Sequence, residues 1–339
     1  MTSFNRRQTL LLGLAAGMGA SLPAWAQSAP AKLTVALDWT PNTNHIGLYV
    51  AQAKGFYGEA GLDVEILPYA DTSAGTLVAN RVADFGVSSA IGFFTQRAAG
   101  AALKATYAVV QTETGRLVFK GDRADIQRPR DLDGKTYGGF GSNWEKALVS
   151  TLIRADGGEG RFETVTLGTS AYEALANGAV DFTLEVYTWE GVKAEIENRP
   201  QRAFRYADWG VPDQHTTFIV SNPAFLDAEP TRAASFIAAT QRGYAFAVAE
   251  PDEAARILVE ANKGMLSDPA LIRASLKALV EGHYLARPDG TVGLIDPAKI
   301  EAIGGFLFAA GILRDADGNA LSARPDFSGY FTNRYFPNT

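Results

Sequence analysis

A chain of 339 residues with no cysteine, carrying 31 basic against 37 acidic side chains, cannot form disulfides, a thiolate metal site or a lipid-modified cysteine anchor. Its formal charge of −6 disfavours nucleic acid and anionic membranes as partners. The length exceeds what one hydrophobic core usually organises, so two lobes are expected.

Residues Met1 to Ala26 read as an export signal. Arg6 and Arg7 precede the apolar run Leu10 to Leu22, and Ala24-Trp25-Ala26 is a small-x-small cleavage site. The pair Arg6-Arg7 followed by Gln8-Thr9-Leu10-Leu11 is close to a twin-arginine signal; Thr9 stands where Phe or Leu is commoner, which leaves the general secretory route open. Cleavage after Ala26 would give a periplasmic, soluble monomer beginning at Gln27, with net charge −8 (29 basic against 37 acidic).

Leu33 to Leu37 reads as a short buried strand, and Ile46, Tyr49, Val50 and Ala53 fall at helical spacing. Between them lie Asp38, Trp39, Asn42, Asn44 and His45. The carboxyl end of a strand opening onto a helix amino end is where open α/β sheets place ligands. A cap accounts for one such residue and leaves four, so a binding site is expected here.

An internal repeat follows. Thr72-Ser73-Ala74, Ala79-Asn80 and Asp84-Phe85 recur 97 positions on (169 − 72) as Thr169-Ser170-Ala171, Ala176-Asn177 and Asp181-Phe182. Each copy reads as a small helix, a turn and a buried strand, which makes Ser88 and Glu185 equivalent positions at outgoing strand ends. The second unit opens near Arg123. Its strand Lys135 to Gly139 leads through a glycine-rich turn, with Gly139, Phe140 and Gly141, into a helix from Trp144 to Arg154. Amides of such a turn can grip an anionic or carbonyl group, whereas neither a dinucleotide fingerprint nor a P-loop is present.

From Val180 the second strand runs on to Glu185, Tyr187, Trp189 and Glu190 before a helix near Gly191. Tyr187 and Trp189 share a side if this stretch is extended. Together with Asp38 and Trp39 they form two jaws, each with a flat ring and a carboxylate, and closure would bring Asp38 and Glu185 toward one ligand. His215 to Ser221 reads as a strand returning to the first lobe, and the remainder is mostly helical, Pro230 to Glu250, Pro251 to Asn262, Asp268 to Gly282 and Pro297 to Ala310, each starting at or beside a proline or acidic cap. The expected division is 32–117 with 217–339 for lobe 1 and 118–216 for lobe 2. His45, His215 and His283 lack ligand spacing, so no metal is expected.

The order of Leu37-Asp-Trp-Thr-Pro-Asn-Thr-Asn-His45, Lys54-Gly-Phe-Tyr57, Gly61-Leu-Asp-Val-Glu65, Ala83-Asp-Phe-Gly-Val87 and Asp131-Leu-Asp-Gly-Lys135 resembles the periplasmic substrate-binding proteins of ABC importers, in the branch that contains thiamin pyrimidine synthase. The resemblance runs from about Lys32 to Tyr335. It implies a two-lobed α/β type II periplasmic binding fold closing like a hinge over an interlobe cleft, an ABC permease as partner, no cofactor and no catalysis. The synthase's cofactor-holding lysine and substrate histidine fall on Ser88 and Gly92, and its cysteine-rich stretch falls near Val211 to Thr217. The implied ligand is a thiamin pyrimidine precursor, formylated or hydroxymethylated, which would stack on Trp39 and Tyr187 or Trp189 and donate to Asp38 or Glu185, with Ser88, Asn42 and His45 satisfying its other polar atoms. Riboflavin is the alternative ligand. A sulfonate would call for Arg or Lys in place of Asp38, Glu185 and Glu190, and a synthase-like enzyme would have to use the paired carboxylates as acid and base.

Overall fold

Two five-stranded sheets built on one plan organise the chain. The computed structural model describes residues 29–336; the expected signal, Met1 to Ala26, lies outside the described residues. The first half runs β1 (Ala31–Ala36), a 3₁₀ turn (Thr43–His45), α1 (Ile46–Ala53), α2 (Phe56–Glu59), β2 (Leu62–Leu67), α3 (Ala74–Ala79), β3 (Phe85–Ser89), α4 (Ala90–Ala98) and β4 (Lys104–Val110). Next come β5 (Gly115–Lys120), β6 (Thr136–Gly139), α5 (Asn143–Ala155), β7 (Glu163–Thr166), α6 (Ala171–Asn177), β8 (Phe182–Val186), a π-helical turn (Tyr187–Gly191), α7 (Val192–Ile196) and β9 (Gln201–Arg205). The chain then returns through β10 (Thr217–Ser221) and continues as α8 (Pro223–Ala228), α9 (Pro230–Ala249), α10 (Pro251–Ala261), α11 (Pro269–Glu281) and α12 (Pro297–Ala309).

Strand order is β2-β1-β3-β10-β4 in the first sheet and β7-β6-β8-β5-β9 in the second. In each, three strands are parallel and the fourth, which comes from across the molecule, is antiparallel to both its neighbours. The repeat has a structural reason. Asp84 accepts a hydrogen bond from the backbone N–H of Thr34 at 2.8 Å, and its counterpart Asp181 accepts one from Thr136 at 2.8 Å, so each copy pins the strand beside it. The second sheet begins at Gly115, upstream of the boundary expected at 118.

Helices α8 to α12 each begin with proline, whose fixed φ and missing N–H suit a first helical position. Asp268 and Asp296 cap α11 and α12 by accepting from the amides of Ala270, Leu271 and Ala298. Helices α1, α9, α10 and α11 cover one face of the first sheet, and α3, α4 and α12 the other. Contact between α1 and α9 is close enough that a Cβ on Gly243 would fall 2.0 Å from the carbonyl oxygen of Gly47. A Cβ on Gly47 would fall 2.2 Å from the Tyr244 ring.

The two lobes touch at both ends of the cleft. Trp189 packs against the first lobe's core, and Trp144 meets Phe306 of α12 edge-on with ring centroids 6.1 Å apart. The two crossings, between Val110 and Gly115 and between Trp209 and Thr217, are clasped together. Asp213 accepts from the Thr112 hydroxyl at 2.5 Å, the Glu113 amide at 2.8 Å and Lys299 Nζ at 2.7 Å, while Gln214 donates to Glu113 at 2.5 Å. One expectation is corrected: Tyr187–Gly191 is not extended but coils into a π turn. Tyr187 and Trp189 therefore do not share a side.

Candidate functional site

A cavity of about 540 Å³ lies where the outgoing ends of β1 and β8 face each other. The first lobe's wall is the segment after β1. Asp38 and Trp39 leave the strand, and Asn42 caps the following turn: its Oδ1 accepts from the Asn44 amide at 2.9 Å and its Nδ2 donates to Thr40 O at 3.0 Å. The turn is anchored from below, since Tyr244 donates to Asn44 O at 2.6 Å and Thr43 bonds Ser275 of α11 at 2.6 Å. Backbone fixed in this way holds the turn that follows Asp38 in place.

His45 stands behind Asp38 rather than in the cavity. It is buried, its Nδ1 accepts from the Asn42 amide at 3.2 Å, and its Nε2 lies 2.9 Å from Asp38 Oδ1. With Nδ1 accepting, the proton is on Nε2 and is donated to Asp38. That bond orients one carboxylate oxygen and leaves the other to the cavity.

The second lobe supplies Phe140, Ser142, Trp144, Glu145, Tyr172, Thr188, Trp189 and Glu190 among others. Trp39 and Phe140 are 47% and 51% exposed, so the two lobes each offer a bare ring at the mouth. Trp39 is steadied by Tyr69, with centroids 5.1 Å apart. Deeper, Glu190 accepts from the Val186 amide at 3.1 Å, and burial pushes its carboxyl up to about 7. Burial, with Glu190 next in effect, also raises the Tyr172 phenol, which keeps it a protonated hydrogen-bond donor.

The glycine-rich turn does not work as expected. Two of its amides are already used: Phe140 N donates to Glu145 Oε1 at 2.8 Å and Ser142 N to Glu145 Oε2 at 2.7 Å. Gly139 is required because a Cβ there would lie 2.5 Å from that Oε1, and Gly141 takes φ +77° with Thr166 close beside it. The two glycines shape the loop, and Phe140 between them is what reaches the cavity.

Glu185 and Tyr187 belong to another environment. The strand register puts Arg116 of β5 directly opposite Glu185, Arg116 Nε donates to Glu185 Oε1 at 2.7 Å, and the guanidinium lies over the Tyr187 ring at 4.2 Å. Burial raises the Glu185 carboxyl and Arg116 opposes the rise. Neither Glu185 nor Tyr187 lines the cavity; the neighbouring Arg116 opens onto a separate hollow beside Glu195 and Arg199. Of the expected acidic residues, Asp38 from the first lobe and Glu190 from the second line the cavity, and Glu185 does not. Ser88 lines an adjoining chamber of about 420 Å³ that shares Asp38, Trp39 and Ser89 with the main cavity.

Sequence reasoning passed over Glu145 and Tyr172 as cavity residues. Each carried a signal. Ser142-x-x-Glu145 is a capping box, with Glu145 N donating to Ser142 Oγ at 3.2 Å. Tyr172 occupies the repeat position equivalent to Gly75 (172 − 97), so the second lobe has a large ring where the first has none. Among the described residues, no Lys, Arg or His lines the main cavity, which carries Asp38, Glu145 and Glu190 with five aromatic rings.

A family model described as NMT1/THI5 like matches residues 42–254. The chain is 28% identical over 284 residues to the formylaminopyrimidine-binding protein of Halalkalibacterium halodurans, covering 81% of this chain and 84% of that one. It is also 28% identical over 240 residues to the 4-amino-5-hydroxymethyl-2-methylpyrimidine phosphate synthase of Legionella pneumophila, covering 69% and 75%. Among solved structures, the alkanesulfonate-binding protein SsuA of Xanthomonas axonopodis pv. citri bound to MOPS superposes with TM-score 0.63 at 17% identity, over 85% of this chain and 96% of that one. The two-sheet α/β architecture is that of the periplasmic binding proteins.

Proposed function

Because the chain belongs to the NMT1/THI5-like family, we propose that it is the exported solute-binding component of an ABC importer and carries a thiamin pyrimidine precursor of the formylaminopyrimidine type. In this reading Met1 to Ala26 directs export and is removed after Ala26. The monomer closes its two lobes over the ligand in the periplasm and delivers it to an inner-membrane permease.

The observation that carries the reading is the cavity's chemistry: flat rings, carboxyl groups and no basic side chain among the described residues. A flat heteroaromatic stacks between Trp39 and Phe140, with Trp189 at its edge. Its exocyclic amine donates to Asp38, whose other oxygen is held by His45. A sulfonate would meet three carboxyl groups and no compensating charge. The binder of the Halalkalibacterium relative's name supports the same ligand class. Against synthase chemistry, Ser88 and Gly92 stand where the synthase holds lysine and histidine, and Ser88 Oγ is turned onto the Ser89 carbonyl at 3.2 Å.

Calorimetric titration with formylaminopyrimidine, hydroxymethylpyrimidine, riboflavin and taurine tests the proposal, together with mass spectrometry of small molecules released from the purified protein by denaturation. Tightest binding by a pyrimidine is expected. Tighter binding of taurine would overturn the ligand class, and tighter binding of riboflavin would replace the pyrimidine with the larger ring system.

A further inference from the structure

Glu145 is almost wholly buried, 2% exposed, yet among the described residues the hydrogen-bond donors to its carboxylate are all neutral. Tyr137 donates to Oε1 at 2.7 Å, Phe140 N to Oε1 at 2.8 Å and Ser142 N to Oε2 at 2.7 Å. The carboxylate also sits in the first turn of α5, thirteen residues long, where the helix dipole favours negative charge. Converging amides, a hydroxyl and a helix amino end are the donors that bind a free sulfonate, phosphate or carboxylate in other proteins. Here they hold a carboxylate that the chain itself provides, at the wall of the ligand cavity.

On the reading that the cleft takes an amino-bearing heteroaromatic, we propose that Glu145 helps make the cleft refuse anions: it fills an anion-accepting loop from within and puts a negative charge just beneath the wall where an anionic ligand would dock. The exclusion works in two ways. An anion entering the cavity finds the Phe140 and Ser142 amides already bonded, and it is repelled by the carboxylate that occupies them. Because the occupant is tethered, a free anion at ordinary concentration cannot displace it. The sequence is built around this occupant, since a side chain at Gly139 would collide with both Glu145 Oε1 and the Tyr137 hydroxyl.

Substituting Glu145→Ala should turn the filled loop into an open anion site. The purified parent and variant are titrated with formate, sulfate and methanesulfonate against chloride at matched ionic strength, following thermal unfolding and the amide resonances of Phe140 and Ser142. The expected result is that the variant melts below the parent, recovers with formate or sulfate, and binds methanesulfonate at least about tenfold more tightly than the parent does. A variant that responds to these anions no more than the parent overturns the proposal. If Glu145→Ala does not fold unaided, refolding is carried out in formate and in chloride; equal yields overturn it as well. Glu145→Gln fills the same space without the charge but has one acceptor oxygen for the three donors, so it should remove Glu145's share of the repulsion while gaining no formate rescue. None of these readouts uses a pyrimidine, so failure of the ligand reading and failure of the Glu145 reading give different results.

Discussion

Asp38 owes its position to a chain of contacts that starts well outside the cavity, running from the Asn42 amide through both nitrogens of His45 to one carboxylate oxygen. Replacing it by Asn keeps the shape and removes the charge. Asp38→Asn is expected to weaken pyrimidine binding by about 1.5–3 kcal/mol, the range of a hydrogen bond to a charged group, with the melting temperature of the free protein little changed; calorimetry and a thermal melt check the two halves. Glu190 gives a prediction about pH. Its carboxyl is raised in the fold from 4.5 to about 7, so between those values the native protein binds more protons than the unfolded chain. The stability from this group is complete below the lower value and is lost as pH rises through the upper one. Glu190→Gln should flatten that slope, so that the parent loses about 3 kcal/mol more than the variant across the window. Denaturant unfolding at a series of pH values measures the difference, and parallel curves would refute it.

At the scale of elements, the helices and the repeated half-units were legible because each is marked locally: proline openings, acidic caps, and seven shared residues around the turns at Asn80 and Asn177. What was hidden is what depends on strand order. Arg116 and Glu185 are 69 positions apart and meet only because β5 lies antiparallel to β8. Without that pairing Glu185 looked like a free carboxylate. The π turn at Tyr187–Gly191 was hidden for another reason, since five residues are too few to separate an alternating pattern from a helical one. The α1–α9 crossing offers a direct test of packing. Gly243→Ala forces a methyl group onto the Gly47 carbonyl, and the helices must part. A loss of about 1–3 kcal/mol in unfolding free energy is expected. Ligand affinity should fall too, because Tyr244 beside Gly243 holds the Asn44 carbonyl under the site; a variant of unchanged stability would show that this crossing can relax.

On the scale of the whole molecule, the clasp of Asp213, Gln214 and Lys299 on Thr112 and Glu113 ties the two crossings together. On the proposed function, closure is a rotation of one sheet toward the other about these crossings, and the Trp144–Phe306 and Trp189 contacts already join the two lobes across the cleft. Solution scattering should register a smaller radius of gyration with saturating pyrimidine, and Lys299→Met should raise the flexibility of the free protein without touching the cavity. An unchanged scattering curve with ligand would count against closure.

The late strand β10 also fixes the order in which this protein can come into being. It occupies the fourth place in the first sheet, and β4 joins that sheet only through it. A chain emerging from the ribosome therefore has β1 to β4 available long before Thr217 arrives, and must hold them unsealed while the entire second sheet is synthesised. Two strand edges, on β3 and β4, stand open during that interval, which is when such edges pair with the wrong chain. The first lobe is thus the earliest to be made and the last to be finished, so chaperoning is needed most by the half of the protein that is translated first.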